Sequence, residues 1–177
     1  ISQWGYDFRP DYLEIAKSRS KLEGSAFGTP PVIALTATAT RQVAEDIMSI
    51  LDFPQPNMIV SGFERPNLSY CVRHCEDKLG QVLKLCRGVQ GTGIVYVARR
   101  KSAEEVTAFL QSQGIDAAYY HAGMNSKVRE AAQNAWKSGR TRIIVSTNAF
   151  GMGIDKPDVR FVCHYDMPQS PEAYFQE

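Results

Sequence analysis

The sequence predicts an α/β fold, a parallel sheet with flanking helices, and three observations predict it. Short apolar runs alternate with segments of helical period, the pattern of strands joined by crossover helices. The runs are continuously apolar, as strands are when helices cover both faces. The composition, 44% hydrophobic and 22% charged over 177 residues, lies in the ordinary globular band and excludes a disordered, collagen-like or disulfide-scaffold chain.

Residues 32–35, 58–60, 93–97, 117–120, 143–145 and 161–164 are predicted as strands. Between them, residues 41–51 place Val43, Ile47, Ile50 and Leu51 on one helical face, and 77–86 do the same with Leu79, Val82, Leu83 and Cys86. Ser102-Ala-Glu-Glu105 reads as a capping box that opens a helix ending at Gly114, a left-handed stop. Asn125 or Ser126 opens another, ending near Gly139. Ser170 and Pro171 fit the cap and first turn of a helix running to Glu177.

The best boundary is residues 62–67, which divides the chain into 1–65, the tail of one α/β domain, and 66–177, most of another. The first part has too few strands to enclose a core. Residues 1–62 are therefore expected to pack abnormally, exchange between chains or be loosely ordered. The chain opens on Ile1 with no initiator methionine or signal segment and closes on a helix just begun, so it is expected to be a piece of a longer protein.

Net charge is +1, which names no partner. Residues 1–66 carry 6 basic and 8 acidic side chains, while 67–177 carry 14 and 11, a weak basic lean. No run approaches the roughly 18 apolar residues of a membrane span, so no membrane partner is expected. Cysteines 71, 75, 86 and 163 show no C-x-x-C spacing. Cys71 and Cys163 are expected to be buried as small hydrophobes in a reducing, cytoplasmic compartment, and no metal site is expected. The phosphate-cradling G-x-x-x-x-G-K-[ST] loop is absent from these residues.

Four stretches nevertheless carry a specific resemblance. Ser2-Gln-Trp-Gly-Tyr-Asp-Phe-Arg-Pro-Asp-Tyr12 resembles the aromatic-rich loop that follows the DEAH box in RecQ-family DNA helicases. Ala34-Leu-Thr-Ala-Thr-Ala-Thr40 is similar to motif III of that family. Gly93-Ile-Val-Tyr-Val-Ala-Arg-Arg-Lys101, with Tyr120-His-Ala-Gly-Met124 beyond it, resembles motif IV and its following turn. Ser146 to Phe161 resembles motif V, and His164-Tyr-Asp-Met-Pro168 the approach to motif VI. In this order and spacing they span nearly the whole chain.

The resemblance implies a RecA-like, P-loop NTPase-type helicase fold: the end of the first lobe and most of the second. It also implies ATP with Mg2+ between the lobes and 3′→5′ movement on single-stranded DNA, with unwinding of partly duplex DNA in repair and recombination. Trp4, Phe8 and Arg9 match the positions that couple DNA contact to the ATP site, and Trp4 and Phe8 could stack on bases. Thr36 and Thr38 are implied as a relay, although one threonine of this run serves to cap a helix. Arg99 and Arg100, at the carboxyl end of a strand, and the hydroxyl and backbone N–H of Thr147 are placed to meet DNA phosphates. His121 is read either as a polar DNA contact or as structural. Gly151 and Gly153 would let the backbone approach a ligand with positive φ. Gly153 and Asp155 are assigned to nucleotide, Asp155 as acceptor for a ribose hydroxyl.

Without a phosphate loop, magnesium acid or arginine finger (the last alone worth about 10³–10⁵ in rate), these residues are expected to hydrolyse no ATP and to bind no cofactor tightly. The alternatives are a nucleic-acid-binding module without turnover and an RNA helicase lobe, the latter disfavoured by the loop at 3–10.

Overall fold

The computed structural model describes residues 14–22, 30–36, 39–55, 57–62, 64–151 and 153–177. The chain divides into two compact units, Ile1–Ser69 and Tyr70–Glu177.

In the first unit, helices α1 (Glu14–Ser20) and α2 (Arg41–Ile50) are described. Thr40 caps α2 by accepting from the Val43 N–H at 3.3 Å, the capping role expected within the threonine run. The Arg19 guanidinium donates to the carbonyls of Leu51 and Asp52, both at 3.0 Å, and so closes the carboxyl end of α2. Neither 32–35 nor 58–60 forms a strand. A strand needs a neighbour's N–H and C=O groups, and the described residues of this unit supply none. Their apolar side chains stay outside: Leu35 is 91% exposed and Ile59 90%.

The second unit contains α3 (Lys78–Gly88), β1 (Thr92–Tyr96), α4 (Arg100–Ser112), β2 (Ala117–Tyr120), α5 (Ser126–Lys137), β3 (Ile143–Ser146), β4 (Val159–His164) and α6 (Pro171–Gln176). The four strands form one parallel sheet in the order β2-β3-β1-β4. Central β1 and β3 are buried at every position, which is why both read as unbroken apolar runs. Alternate residues serve opposite faces. Val95, Val97, Ile143 and Val145 pack with Val82 and Cys86 of α3 and with Ala103, Val106 and Leu110 of α4. Ile94, Tyr96 and Ile144 pack on the other face with Trp136 of α5 and with Phe150. The result is a three-layer α/β/α body.

Helix ends follow the sequence cues with one exception. Asp77, Asn125 and Ser170 cap α3, α5 and α6 through their side chains. Gly114 and Gly139 stand just past α4 and α5 with φ of 76° each. The expected capping box is not a cap: α4 begins three residues earlier, at Arg100, with Arg99 rather than Ser102 in extended conformation at the cap position. Cys71 is a second correction. It is exposed, because its segment pairs with no strand, whereas Cys86 is buried and Cys163 partly so. Burial raises the Cys163 thiol to about 11, with Cys86 and Cys75 adding to the shift, so little reactive thiolate exists there near neutrality.

Candidate nucleic-acid interface

The sheet order places the site. The connection after β1 runs to β2 by way of α4 on one face, and that after β3 crosses to β4 on the other, so these neighbouring strands release their chains to opposite sides. Ligands of open α/β sheets gather at the carboxyl ends beside such a divergence. Tyr96 is in register with Ser146 and His164, and Ser146 with Tyr120. The next residue of each strand therefore falls on one row: His121, Thr147, Val97 and Tyr165.

Arg99 and Arg100 follow Val97 after Ala98. Both are exposed, and neither forms an ion pair among the described residues. Lys101 differs, since its ammonium lies 3.6 Å from Glu105 one turn along α4. The step is held from below by Asp166, whose Oδ2 accepts the Ala98 N–H at 2.9 Å while Oδ1 accepts from Lys78 Nζ at 3.2 Å. Lys78 also lies 4.9 Å over the Tyr165 ring. Asp166 thus ties β1's exit to β4's exit.

Thr147 is half-buried, and its N–H is directed at the Tyr120 carbonyl 3.4 Å away. The sheet therefore engages the amide that was expected to face a phosphate, which leaves the hydroxyl for that role. His121 is 6% exposed, with Nε2 3.1 Å from Glu104 Oε1 and its ring stacked on Tyr119 at 5.5 Å. Trp4, Phe8, Arg9 and Thr38 lie outside the described residues. Thr36 is exposed in a segment without regular structure.

The turn after β3 carries the glycine geometry expected of it. Gly151 has φ of 125° and Gly153 of 72°, and Gly153 and Asp155 are both exposed. Behind the turn, the buried Tyr96 hydroxyl donates to the Phe150 carbonyl at 2.9 Å. Burial, with the Glu177 carboxylate adding to it, pushes that phenol well above the ordinary tyrosine range, so it remains a donor. A Cβ on Gly151 would come within 2.8 Å of the Tyr96 oxygen at a φ that L-residues rarely adopt. Gly151→Ala is expected to destabilise the turn by about 1–3 kcal/mol, read as faster amide exchange from Phe150 to Ile154. Unchanged exchange would count against this packing. Lys156 anchors the far side, its Nζ 5.4 Å over the Trp136 ring and 2.8 Å from Asp158.

Sequence reasoning missed Glu104, Asp166 and Arg142. Each bonds to a group distant in the chain, and only the fold brings the partners together.

Comparison with known proteins assigns the class first. The helicase conserved C-terminal domain matches residues 76–177, more than half of the chain, and the protein belongs to that family. Its fold is that of the C-terminal lobe of DEAD-box helicases. The isolated C-terminal domain of the DEAD-box protein Dbp5 aligns with a TM-score of 0.51 at 27% identity, covering 56% of this chain and 59% of that one. Saccharomyces cerevisiae Dbp5 bound to RNA and ADP BeF3 aligns at 0.68 and 23% identity, covering 80% and 39%.

The particular likeness is to RecQ-type DNA helicases. The chain is 42% identical to ATP-dependent helicase SGS1 of Saccharomyces cerevisiae and 39% identical to ATP-dependent DNA helicase RecQ of Pasteurella multocida, in each case over 100% of this chain. It spans 12% and 27% of those relatives, and no more than 36% of the length of the first relatives it matches. Among the described residues no helix is long and apolar enough to cross a membrane, and no group of three or more His, Cys, Asp or Glu is placed to hold a metal.

Proposed function

We propose that the chain is the DNA-engaging part of an ATP-dependent helicase that moves 3′→5′ on single-stranded DNA and opens partly duplex DNA in repair and recombination. In this reading residues 1–65 are the end of the first RecA-like lobe and 66–177 most of the second. One observation carries it: Arg99, Arg100, His121 and Thr147 all lie where neighbouring parallel strands end, and the two exposed arginines form no ion pair among the described residues. Phosphates of a single strand would lie along that row, held by the guanidiniums and the Thr147 hydroxyl.

ATP with Mg2+ would supply the free energy of γ-phosphate hydrolysis. On this chain Asp155 would accept from the ribose hydroxyl, and Gly153, with no heavy atom within 4 Å of where a Cβ would stand, leaves room for backbone approach. The coupling roles of Trp4, Phe8, Arg9, Thr36 and Thr38 and an intracellular, DNA-associated location belong to the same proposal.

Two measurements on this chain test it. Fluorescence anisotropy with labelled oligo(dT) is expected to show binding that weakens linearly in log affinity against log salt, because each phosphate contact releases a counterion. Oligo(U) binding more tightly than oligo(dT) would favour an RNA substrate instead. ATP hydrolysis is expected to stay at background with or without DNA. DNA-stimulated turnover would mean that a complete phosphate site exists in these residues and would overturn their assignment as a partial one.

A further inference from the structure

The carboxyl ends of the strands form one pole of the second unit. At the opposite pole the chain turns from α3, α4 and α5 back into β1, β2 and β3, and it enters β4 there as well. The joining segments are residues 87–91, 113–116, 137–142 and 156–160. They carry six cations, Arg87, Lys137, Arg140, Arg142, Lys156 and Arg160, against two carboxylates, Asp116 and Asp158. This pole is therefore strongly positive in a chain whose total charge is only +1, and all other residues together are net negative.

Contacts join these segments into one surface. Arg142 Nε donates to the Gly91 carbonyl at 2.9 Å, and a Cβ on Gly91 would stand 2.6 Å from Arg160 Cγ. Arg142 Nη2 reaches the Cys86 carbonyl of α3, and Lys156 Nζ donates to the Lys137 carbonyl of α5 at 3.2 Å. Arg87 Nη2 donates to the Gln113 carbonyl at 3.4 Å. Both carboxylates are engaged as well: Asp116 accepts from the Arg142 N–H, and Asp158 pairs with Lys156. Lys137, Arg140 and Arg160 stay exposed, and none forms an ion pair among the described residues. Lys137 closes α5, where a cation meets the negative end of the helix dipole. Arg140 and Arg160 lie outside every helix, so the dipole does not account for them.

Among the described residues, no large exposed apolar side chain belongs to these segments. A protein partner would need an aromatic or aliphatic anchor at the centre of its contact. A single strand would need rings for its bases to stack on. A duplex needs neither, because its bases are stacked inside and its phosphates face outward, one charge per about 1.7 Å of axis. Guanidiniums match such phosphates with paired hydrogen bonds.

We infer that this pole is a second DNA-contact surface, which takes the phosphate backbone of duplex DNA through Lys137, Arg140 and Arg160. The choice of DNA as the polyanion rests on the reading above, but the two surfaces share no residue. Strand β1, five residues at about 3.3 Å each, separates the poles by roughly 16 Å. A single strand at the carboxyl ends therefore leaves this surface free for the duplex arm of a partly duplex substrate.

Fluorescence anisotropy of this chain with a labelled blunt duplex and with labelled oligo(dT) separates the two surfaces. Combined Lys137→Gln, Arg140→Gln and Arg160→Gln is expected to weaken duplex binding about tenfold or more at low salt. The slope of log affinity against log salt should fall by about 2.7, three contacts at about 0.9 each. Oligo(dT) affinity should change less than about twofold, since its contacts lie at the other pole. Arg140→Lys with Arg160→Lys keeps the charge and should hold duplex affinity within about threefold of wild type. Both variants should melt within about 2 °C of wild type, because all three side chains are exposed.

A duplex that fails to bind wild type, or binds the glutamine variant equally well, overturns this inference and leaves the strand-end reading intact. Equal losses on duplex and oligo(dT) also overturn it, since only a diffuse field would then be at work. Polyglutamate that displaces the labelled duplex better than unlabelled duplex does overturns it in favour of an acidic protein partner. Duplex binding through these cations without any oligo(dT) binding upholds it and overturns the strand-end reading.

Discussion

Arg142→Ala is expected to lower the stability of the second unit by about 3 kcal/mol, on the scale of charged hydrogen bonds to partly buried carbonyls, and its melting temperature by roughly 10 °C or more. Arg142 precedes β3, and its side chain reaches back beneath the sheet. Nε donates to the Gly91 carbonyl at 2.9 Å, and Nη2 to the carbonyls of Cys86 and Val89. These acceptors are the loose ends of α3 and the turn into β1, where Gly91 holds φ of 95°. A cation at a helix carboxyl terminus also meets the negative end of the helix dipole. Its own backbone N–H is held by Asp116 Oδ2 at 3.2 Å, fixing the start of β3 beside β2. One side chain therefore joins α3, β1 and β3. Arg142→Lys keeps the charge but loses the fork, and should recover about half of the loss. Thermal melting of both variants checks this, and an Arg142→Ala melt within about 2 °C of wild type would refute the clamp.

The contrast with what could be read in advance is physical. Residues 93–97 and 143–145 announced themselves because central parallel strands are apolar at consecutive positions and have neighbours to pair with. Residues 32–35 and 58–60 are equally apolar, but a strand is defined by its partner, and no residue described around them provides one. Apolar sequence alone cannot distinguish a buried strand from an unpaired one. The start of α4 was misplaced for a related reason. Ser102-Ala-Glu-Glu105 has the spacing of a cap, yet the chain is already turned at Ala98, whose N–H is captured by Asp166 from 68 residues away.

The interface divides along the same line. Arg99 and Arg100 stood out as a dense basic step after a strand, and the glycines at 151 and 153 as left-handed positions. Glu104 was legible only as part of a helix start. Its bond to His121, 17 residues on, depends on how α4 lies against the end of β2. Short-range chemistry is written in short-range sequence, whereas the groups that orient it are fixed by topology.

Arg99→Ala combined with Arg100→Ala is expected to weaken oligo(dT) binding about tenfold at low salt and to reduce the slope of log affinity against log salt by roughly 1.4, two contacts at about 0.7 each for single strands. Stability should be nearly unchanged, because both side chains are exposed and bear no ion pair among the described residues. Lys101→Ala is the internal control. It removes one positive charge, against two in the arginine pair, from the same helix turn, but this ammonium is shared with Glu105, so its loss should change affinity less than about twofold and the slope by well under one contact. Equal effects from Lys101 and the arginines would mean that binding senses only the diffuse positive field of the unit. A large loss confined to the arginine pair would mean that the strand ends present them to individual phosphates, the arrangement that directional movement along a strand requires.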